Sequence, residues 1–283
     1  MTSATLADVS VGIPTCDDDP KILTKALSRI VREPIDSTII VDMSRGSGVR
    51  RVAADFEGDV TLIRYPESIG VSDSRNLLIK SCPTQFLIMI DADAIPRPGW
   101  AVALRKAFDR DERAAVIGGR ILPTWPDAPP LLFQTAPALD FLGMYDLGES
   151  AVAVPRIMGT TYAIDRTRLP GNPPFRPDVG RKPGSLLAFE EVAYCLGVID
   201  AGWTIWYEPQ ATVDHHVRRG RDSWRWMLRR TFVAGQESRL AAERLEPLPR
   251  ATTMSDRLFR LAIAPTFLAG RLIGPRNTSA THE

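Results

Sequence analysis

Over its first 120 residues the chain alternates between two hydrophobic periods, and this limits its fold more than any other feature. VSVGIP (9–14), STIIVD (37–42), VTLIRYP (60–66) and QFLIMIDAD (85–93) are short β-branched or aliphatic runs that read as buried strands. Amphipathic stretches of helical length separate them at Pro20–Arg32, Ser47–Phe56 and Val71–Ser81; another follows at Gly99–Arg110, and AAVIGGRI (114–121) reads as a further strand. Strands alternating with helices imply βαβ units and an α/β, Rossmann-like fold with a mostly parallel central sheet flanked by helices. Ligands of such sheets bind beyond the carboxyl ends of the strands, so polar residues there are the first candidates for chemistry.

The later sequence is punctuated differently. Eleven of the 23 prolines fall between Pro123 and Pro183, where PTWPDAPP and LPGNPPFRPDVGRKPG cannot be regular helix or central strand. RIMGTTYAID (156–165) within this region could be one short strand. FEEVAYCLGVIDAG (189–202) reads as a helix closed by Gly202, TIWYEP (204–209) as a strand, and a helix runs from about Ser223 to Glu243. A length of 283 residues allows one or two domains. The expected division is a regular half at 1–121, a Pro-rich half at 122–235 and a C-terminal helical extension at 236–283.

Charge and cysteine usage exclude several classes. Lys and Arg number 35 against 34 Asp and Glu, which speaks against a strongly basic nucleic-acid binder, and no nucleic-acid partner is expected. Cys16, Cys82 and Cys195 form no CxxC pair, so neither a disulfide framework nor a structural zinc site is expected, and a reducing, cytoplasmic setting fits best. The opening MTSATLADVS lacks a basic region followed by an apolar stretch, so no secretory signal is expected, and the most apolar late stretch, Leu258 to Ile273, is interrupted by Arg260, Pro265 and Arg271.

Several residues could carry chemistry. Asp91 and Asp93 end an apolar run one residue apart; in an extended chain they point to one side, where hard oxygen ligands suit Mg²⁺ or Mn²⁺. An ordinary turn before Pro96 is the alternative. Asp17, Asp18 and Asp19 precede a helix that starts at Pro20, and capping accounts for the last two. Asp42 ends the second strand, where it could accept from a base N–H or a ribose hydroxyl, or simply close a turn. Arg75 and Asn76 lie early in a helix entered through a Gly turn; Arg75 could hold a phosphate or be a solvated surface group. Glu190 and Glu191 open a helix, either complementing its dipole or supplying a general base. His215 and His216 are a metal-ligand candidate pair, with a structural role as the alternative; the third histidine, His282, sits in the polar tail. RRGRDSWRWMLRR (218–230) holds six Arg, a solvated face or a patch for a diphosphate or an anionic membrane.

Taken in order, these pieces resemble the family 2 glycosyltransferases of the glycosyltransferase A-type (GT-A) fold. VSVGIPTCDDDP is similar to the family's opening strand that meets the nucleotide, IIVDMS to its second strand, IGVSDSRN to its Gly-x-x-x-(x)-Ala-Arg-Asn stretch, and FLIMIDADAIPRPGW to its DxD segment. RIMGTTYAIDR resembles the acceptor-side strand, and FEEVAYCLGVIDAGWTIWYEPQATVDHH the catalytic-base helix, the next strand and the later metal-binding His. The resemblance spans roughly residues 9–235.

It implies inverting transfer of a sugar from a UDP-, GDP- or dTDP-linked donor to an acceptor hydroxyl on a small natural product, a lipid-linked sugar or a glycan. By the same resemblance Pro14, Thr15, Asp17, Asp42, Arg75, Asp91 and Ala92 would meet the donor, Asp93 and His215 (or its neighbour His216) the divalent metal, Mn²⁺ or Mg²⁺, and Gly159, Thr160 and Glu190 the acceptor. Glu191 would be the base, where the family usually has Asp, and Gly197 stands where an Arg is common. Peripheral contact of the C-terminal helices with the inner face of a membrane, and a homodimer, stay open. A binding module without catalysis would not need both carboxylates, the paired Glu and a His. A sugar nucleotidyltransferase would want a Gly-rich basic opening loop, which the acidic GIPTCDDDP does not supply.

Overall fold

The structure is a computed structural model that describes residues 6–65, 69–172, 174–181, 186–240 and 253–274. Its centre is a nine-stranded sheet. The strands are β1 (Leu6–Thr15), β2 (Ile35–Asp42), β3 (Val60–Arg64), β4 (Phe86–Ile90), β5 (Ala94–Pro96), β6 (Ala114–Thr124), β7 (Val152–Ala153), β8 (Thr161–Asp165) and β9 (Thr204–His216). They lie in the order β3-β2-β1-β4-β8-β6-β9-β5, with β7 also on β9. Helices α1 (Pro20–Ile30), α2 (Gly48–Ala54), α3 (Val71–Ser81) and α4 (Trp100–Ala107) fill the intervals of the first half, close to the periodic stretches of the sequence.

The expected parallel pairing holds across β3-β2-β1-β4. Beyond β4 the sheet is mixed: β8 runs antiparallel to both β4 and β6, β9 is parallel to β6, and β5 and β7 are antiparallel to β9. Both faces of β4 are covered, so every residue of FLIMI is buried, as a continuous apolar run requires. The parallel register aligns Thr15 with Asp42 and Asp42 with Arg64, which sets three polar side chains in a row at the strand ends. Asp19 caps α1, accepting from the Lys21 N–H at 2.8 Å with Pro20 in the first turn.

Two strands differ from expectation. The run 85–93 stays extended only to Ile90; a turn follows, closed by the Ala94 N–H on the Asp91 carbonyl at 3.1 Å. In the other direction, β9 continues past Pro209 to His216. The register against β6 jumps there, from Gly119↔Glu208 to Arg120↔Thr212, so Pro209, Gln210 and Ala211 bulge out of the ladder. A bulge is where a strand tolerates a residue with no N–H. Gly119 permits it, because a side chain there would run into the Ala211 carbonyl.

The chain forms two compact units, and the division is not linear as the sequence division was. The first comprises Met1–Thr124, Gly143–Pro183 and Phe189–His216; the second comprises Trp125–Leu142, Gly184–Ala188 and Val217–Glu283. The first contains the sheet and α6 (Glu190–Asp200), which ends as expected before Gly202 at φ +84°. The second is helical, with α5 (Ala136–Phe141), α7 (Trp224–Leu240) and α8 (Met254–Ile273). There α7 crosses α8 at Gly235 and Gly270, where an added methyl would strike the partner helix's backbone. The expected continuation of α7 to Glu243, and His282, lie outside the described residues.

Part of the Pro-rich stretch is tied to α3 by a reciprocal clamp. The Asn76 side-chain amide donates to the Phe175 carbonyl at 2.7 Å and accepts from the Phe175 N–H at 3.0 Å. Asn76→Ala leaves both backbone groups without that partner and is expected to lower stability by about 2 kcal/mol. Chemical denaturation checks this, and an unchanged midpoint would mean that the clamp contributes nothing.

Candidate functional site

The row at the ends of β1, β2 and β3 is the first part of the site. Asp42 is fully buried; its Oδ1 accepts from the Ser44 N–H at 2.8 Å and from the Thr15 hydroxyl at 3.4 Å. Arg64 lies 3.8 Å from Oδ2, yet that oxygen has no hydrogen-bond partner among the described residues. A buried carboxylate oxygen without a donor is costly, so a ligand N–H or hydroxyl reaching it would be well received. Pro14 and Thr15 are buried beside it. Asp17 adopts φ +53° and ties the opening loop to the next one: its N–H donates to Ser44 Oγ at 2.8 Å, and its carboxylate accepts from the Arg45 N–H at 3.1 Å.

The turn after β4 forms the second part. The Asp91 N–H donates to the Thr160 carbonyl at 2.9 Å, and the His216 N–H to the Asp93 carbonyl at 2.9 Å, so backbone bonds hold both ends of the turn. Thr160 thus anchors the turn through its backbone, and Ala92 is buried within it. Ala94 faces His215 in the β5–β9 register. As a result, ligand atoms of Asp91, Asp93 and His215 all lie within 4.8 Å of one another, with His215 Nε2 at 3.3 Å from Asp93 Oδ1. The turn, not an extended strand, brings the two carboxylates together. Burial lifts the Asp91 carboxyl above the usual carboxylate range; Arg75 opposes this and Asp93 adds to it. Two carboxylates and an imidazole suit Mn²⁺ or Mg²⁺, the nitrogen favouring Mn²⁺. His216 stands outside this cluster, and burial together with Lys25 holds its pKa below the ordinary value.

The third part was mostly hidden in the sequence. Arg75 is buried, and its guanidinium reaches Glu191 Oε1 at 2.8 Å, Glu190 Oε1 at 3.3 Å and the Gly159 carbonyl at 3.4 Å. The rings of Phe175 and Tyr162 lie 5.6 and 5.9 Å from its central carbon, and Phe175 stacks on Tyr194 at 4.4 Å. Where the sequence allowed a phosphate contact or a solvated surface group, the structure places a buried counter-ion for both glutamates. The two carboxyls separate in consequence. Burial and the neighbouring Glu191 charge push Glu190 up, to about 8. Burial would raise Glu191 too, but Arg75 outweighs it and holds that carboxyl below the usual range. Arg181, in the Pro-rich stretch, also lowers both, and no local motif marks it. Gly159 must lack a side chain, because a methyl there would collide with Glu191 Oε1. Asp91 lies within electrostatic reach of Arg75, so the carboxylate pair with its histidine and the paired glutamates form one continuous field.

The sequence model described as glycosyl transferase family 2 matches residues 10–164, more than half of the chain. The chain belongs to that family. Similar proteins include a pre-mycofactocin glycosyltransferase of Mycobacterium tuberculosis, 29% identical over 238 residues, which cover 83% of this chain and 47% of the relative. The chain therefore spans about half the length of that relative. A glucosyl-dolichyl phosphate glucuronosyltransferase of Haloferax volcanii is 26% identical over 215 residues, 74% of this chain and 67% of the relative. Among solved structures, a mannosyltransferase from Pyrobaculum calidifontis in complex with GDP-Man and Mn²⁺ superposes with a TM-score of 0.61. At 19% identity, covering 94% of this chain and 73% of that one, it establishes a shared fold. The GT-A architecture expected from the sequence is therefore the one observed.

In this family 2 chain the Asp91–Asp93–His215 cluster generates a direct expectation. Isothermal titration of the full chain with Mn²⁺ should show one site, and Asp93→Ala or His215→Ala should weaken it at least about tenfold, consistent with loss of one ligand. His216→Ala should leave it unchanged; a larger loss there than at His215 would reassign the ligand.

Proposed function

We propose that the chain is an inverting glycosyltransferase that moves a sugar from a nucleotide diphosphate donor to an acceptor hydroxyl, with Glu191 as general base. The observation that carries this reading is the unequal placement of the two glutamates around Arg75: Glu191 Oε1 lies at 2.8 Å from the guanidinium and Glu190 Oε1 at 3.3 Å, which favours the ionised form of Glu191 while burial pushes Glu190 up. Pairs of carboxyls pushed apart by their surroundings take distinct acid and base roles.

Asp42 would accept from the donor's base through Oδ2, in the row with Pro14 and Thr15, and Asp17 would hold the opening loop over it. Asp91, Asp93 and His215 would hold a divalent ion, which when bound offsets the charge growing on the leaving diphosphate. Glu191 would take the proton from the acceptor hydroxyl as its oxygen bonds to the anomeric carbon and the bond to the diphosphate oxygen breaks. A single displacement inverts configuration and needs no covalent nucleophile. Glu190 and the Gly159–Thr160 turn would border the acceptor. Arg75 is a positioning residue in this scheme, fixing Glu191 against Gly159 and keeping it charged. The donor nucleotide (uridine, guanosine or thymidine) and the acceptor (a small natural product, a lipid-linked sugar or a glycan) stay within the classes expected from the sequence. The named activities of the two relatives, on a pre-mycofactocin and on a dolichyl phosphate sugar, fall within those acceptor classes.

Glu191→Gln is expected to lower kcat by about 10²- to 10⁴-fold while donor affinity stays; release of nucleoside diphosphate from a panel of sugar donors is the measurement. The pH profile separates the two glutamates. A base at Glu191 acts when ionised, so its acid limb should lie below the ordinary Glu range and the rate should be flat through neutrality. A limb near pH 8 would move the base to Glu190.

A further inference from the structure

One face of the second unit is not explained by sugar transfer. In α8 the residues Met254, Leu258, Leu261, Pro265, Leu268 and Leu272 recur at intervals of four and three, so they share one side of the helix. The opposite side, with Asp256, Phe259, Ile263 and Gly270, is buried. The apolar side is open: Leu261 is 71% exposed and Leu272 81%. An exposed apolar stripe of nearly the whole helix is rare on a protein surface without a partner.

The charge around the stripe identifies the partner. Helices α7 and α8 carry seven Arg and two acids, Glu237 and Asp256, and both acids are buried and committed internally. Glu237 pairs with Arg230 at 2.9 Å and accepts from the Ala188 N–H, while the Asp256 carboxylate completes the capping box of α8, accepting from the Thr253 N–H at 2.8 Å, and accepts from the Ala136 N–H at 3.3 Å. The exposed charges of α8 itself are therefore both arginines, Arg257 and Arg271; Arg225, Arg229 and Arg239 are exposed on α7, which packs on the Gly270 side of α8, and they add to the basic character of the unit. A second copy meeting this face about a two-fold axis would bring basic residues against basic residues, with no exposed acid on either helix to offset them. No described helix is long and apolar enough to cross a membrane. An apolar stripe edged by Arg is the pattern of a helix lying in a membrane interface.

We propose that α8 lies along the surface of an anionic lipid bilayer, its leucine stripe at the acyl boundary and its arginines among the headgroups. Trp224, an expected interfacial anchor, instead packs on Phe133 and Phe259 at 5.1 and 6.0 Å, so the membrane-facing apolar surface is that of α8. The stripe is solvent-facing before docking, so charged substitutions on it leave the packed side of the helix intact.

The test is co-sedimentation of the full chain with vesicles of phosphatidylcholine alone or with about 30 mol % phosphatidylglycerol, alongside light scattering for oligomeric state. Binding should be about tenfold or more stronger to the anionic vesicles and weaken with salt. Leu261→Glu with Leu268→Glu should abolish it at an unchanged unfolding midpoint, and Arg257→Gln with Arg271→Gln should reduce the anionic preference. Three results would overturn the proposal: no vesicle binding by a monomer, binding that the double Glu variant retains, or a dimer that the variant dissociates in the absence of vesicle binding.

Discussion

The candidate site depends on a buried guanidinium. Arg75 comes from α3, Glu190 and Glu191 from the start of α6, and the Gly159 carbonyl from the turn before β8. A charge taken out of water must be matched, and removing one partner from such a cluster leaves the others uncompensated. The two glutamates open α6 without a side-chain cap, so the helix N-terminus and Arg75 both favour negative charge there. The charge that holds these elements together also lowers both carboxyls, Glu191 more closely held than Glu190.

Around this cluster, irregular backbone does the aiming. The β4 strand stops at Ile90, and the Asp91–Asp93 turn faces the end of β9. That end reaches the turn only because β9 sheds three residues in a bulge at Pro209 and then resumes pairing with β6 and β5. A one-residue change in register would turn His215 to the other face of the sheet. The bulge, the missing side chain at Gly119 and the short β5 therefore position the His215 imidazole beside carboxylates more than one hundred residues away in sequence.

Much of this was legible in the sequence. The helices at Pro20–Ile30 and Val71–Ser81 and the strands β1, β2 and β3 follow directly from local period, because each buries one face or both and each has its own cap or turn. The strand-end carboxylates Asp42, Asp91 and Asp93 were visible for the same reason: polar residues ending apolar runs are where parallel sheets place ligands. Less legible was everything that depends on pairing between distant segments. The antiparallel insertion of β8, the continuation of β9 through a proline and the clustering of the helical segments into a separate unit have no local signature.

The amino-acid sequence alone determined the α/β class, the strands of the first half and the residue types available for chemistry, since hydrophobic period and strand-end polarity are properties of neighbouring residues. Only the tertiary structure decided what Arg75 touches, that His215 and not His216 joins the two aspartates, and that burial pushes Glu190 up while Arg75 holds Glu191 down. Those outcomes depend on distance, burial and the field of groups far apart in the chain, and a pKa or a ligand set exists only once those groups share a site.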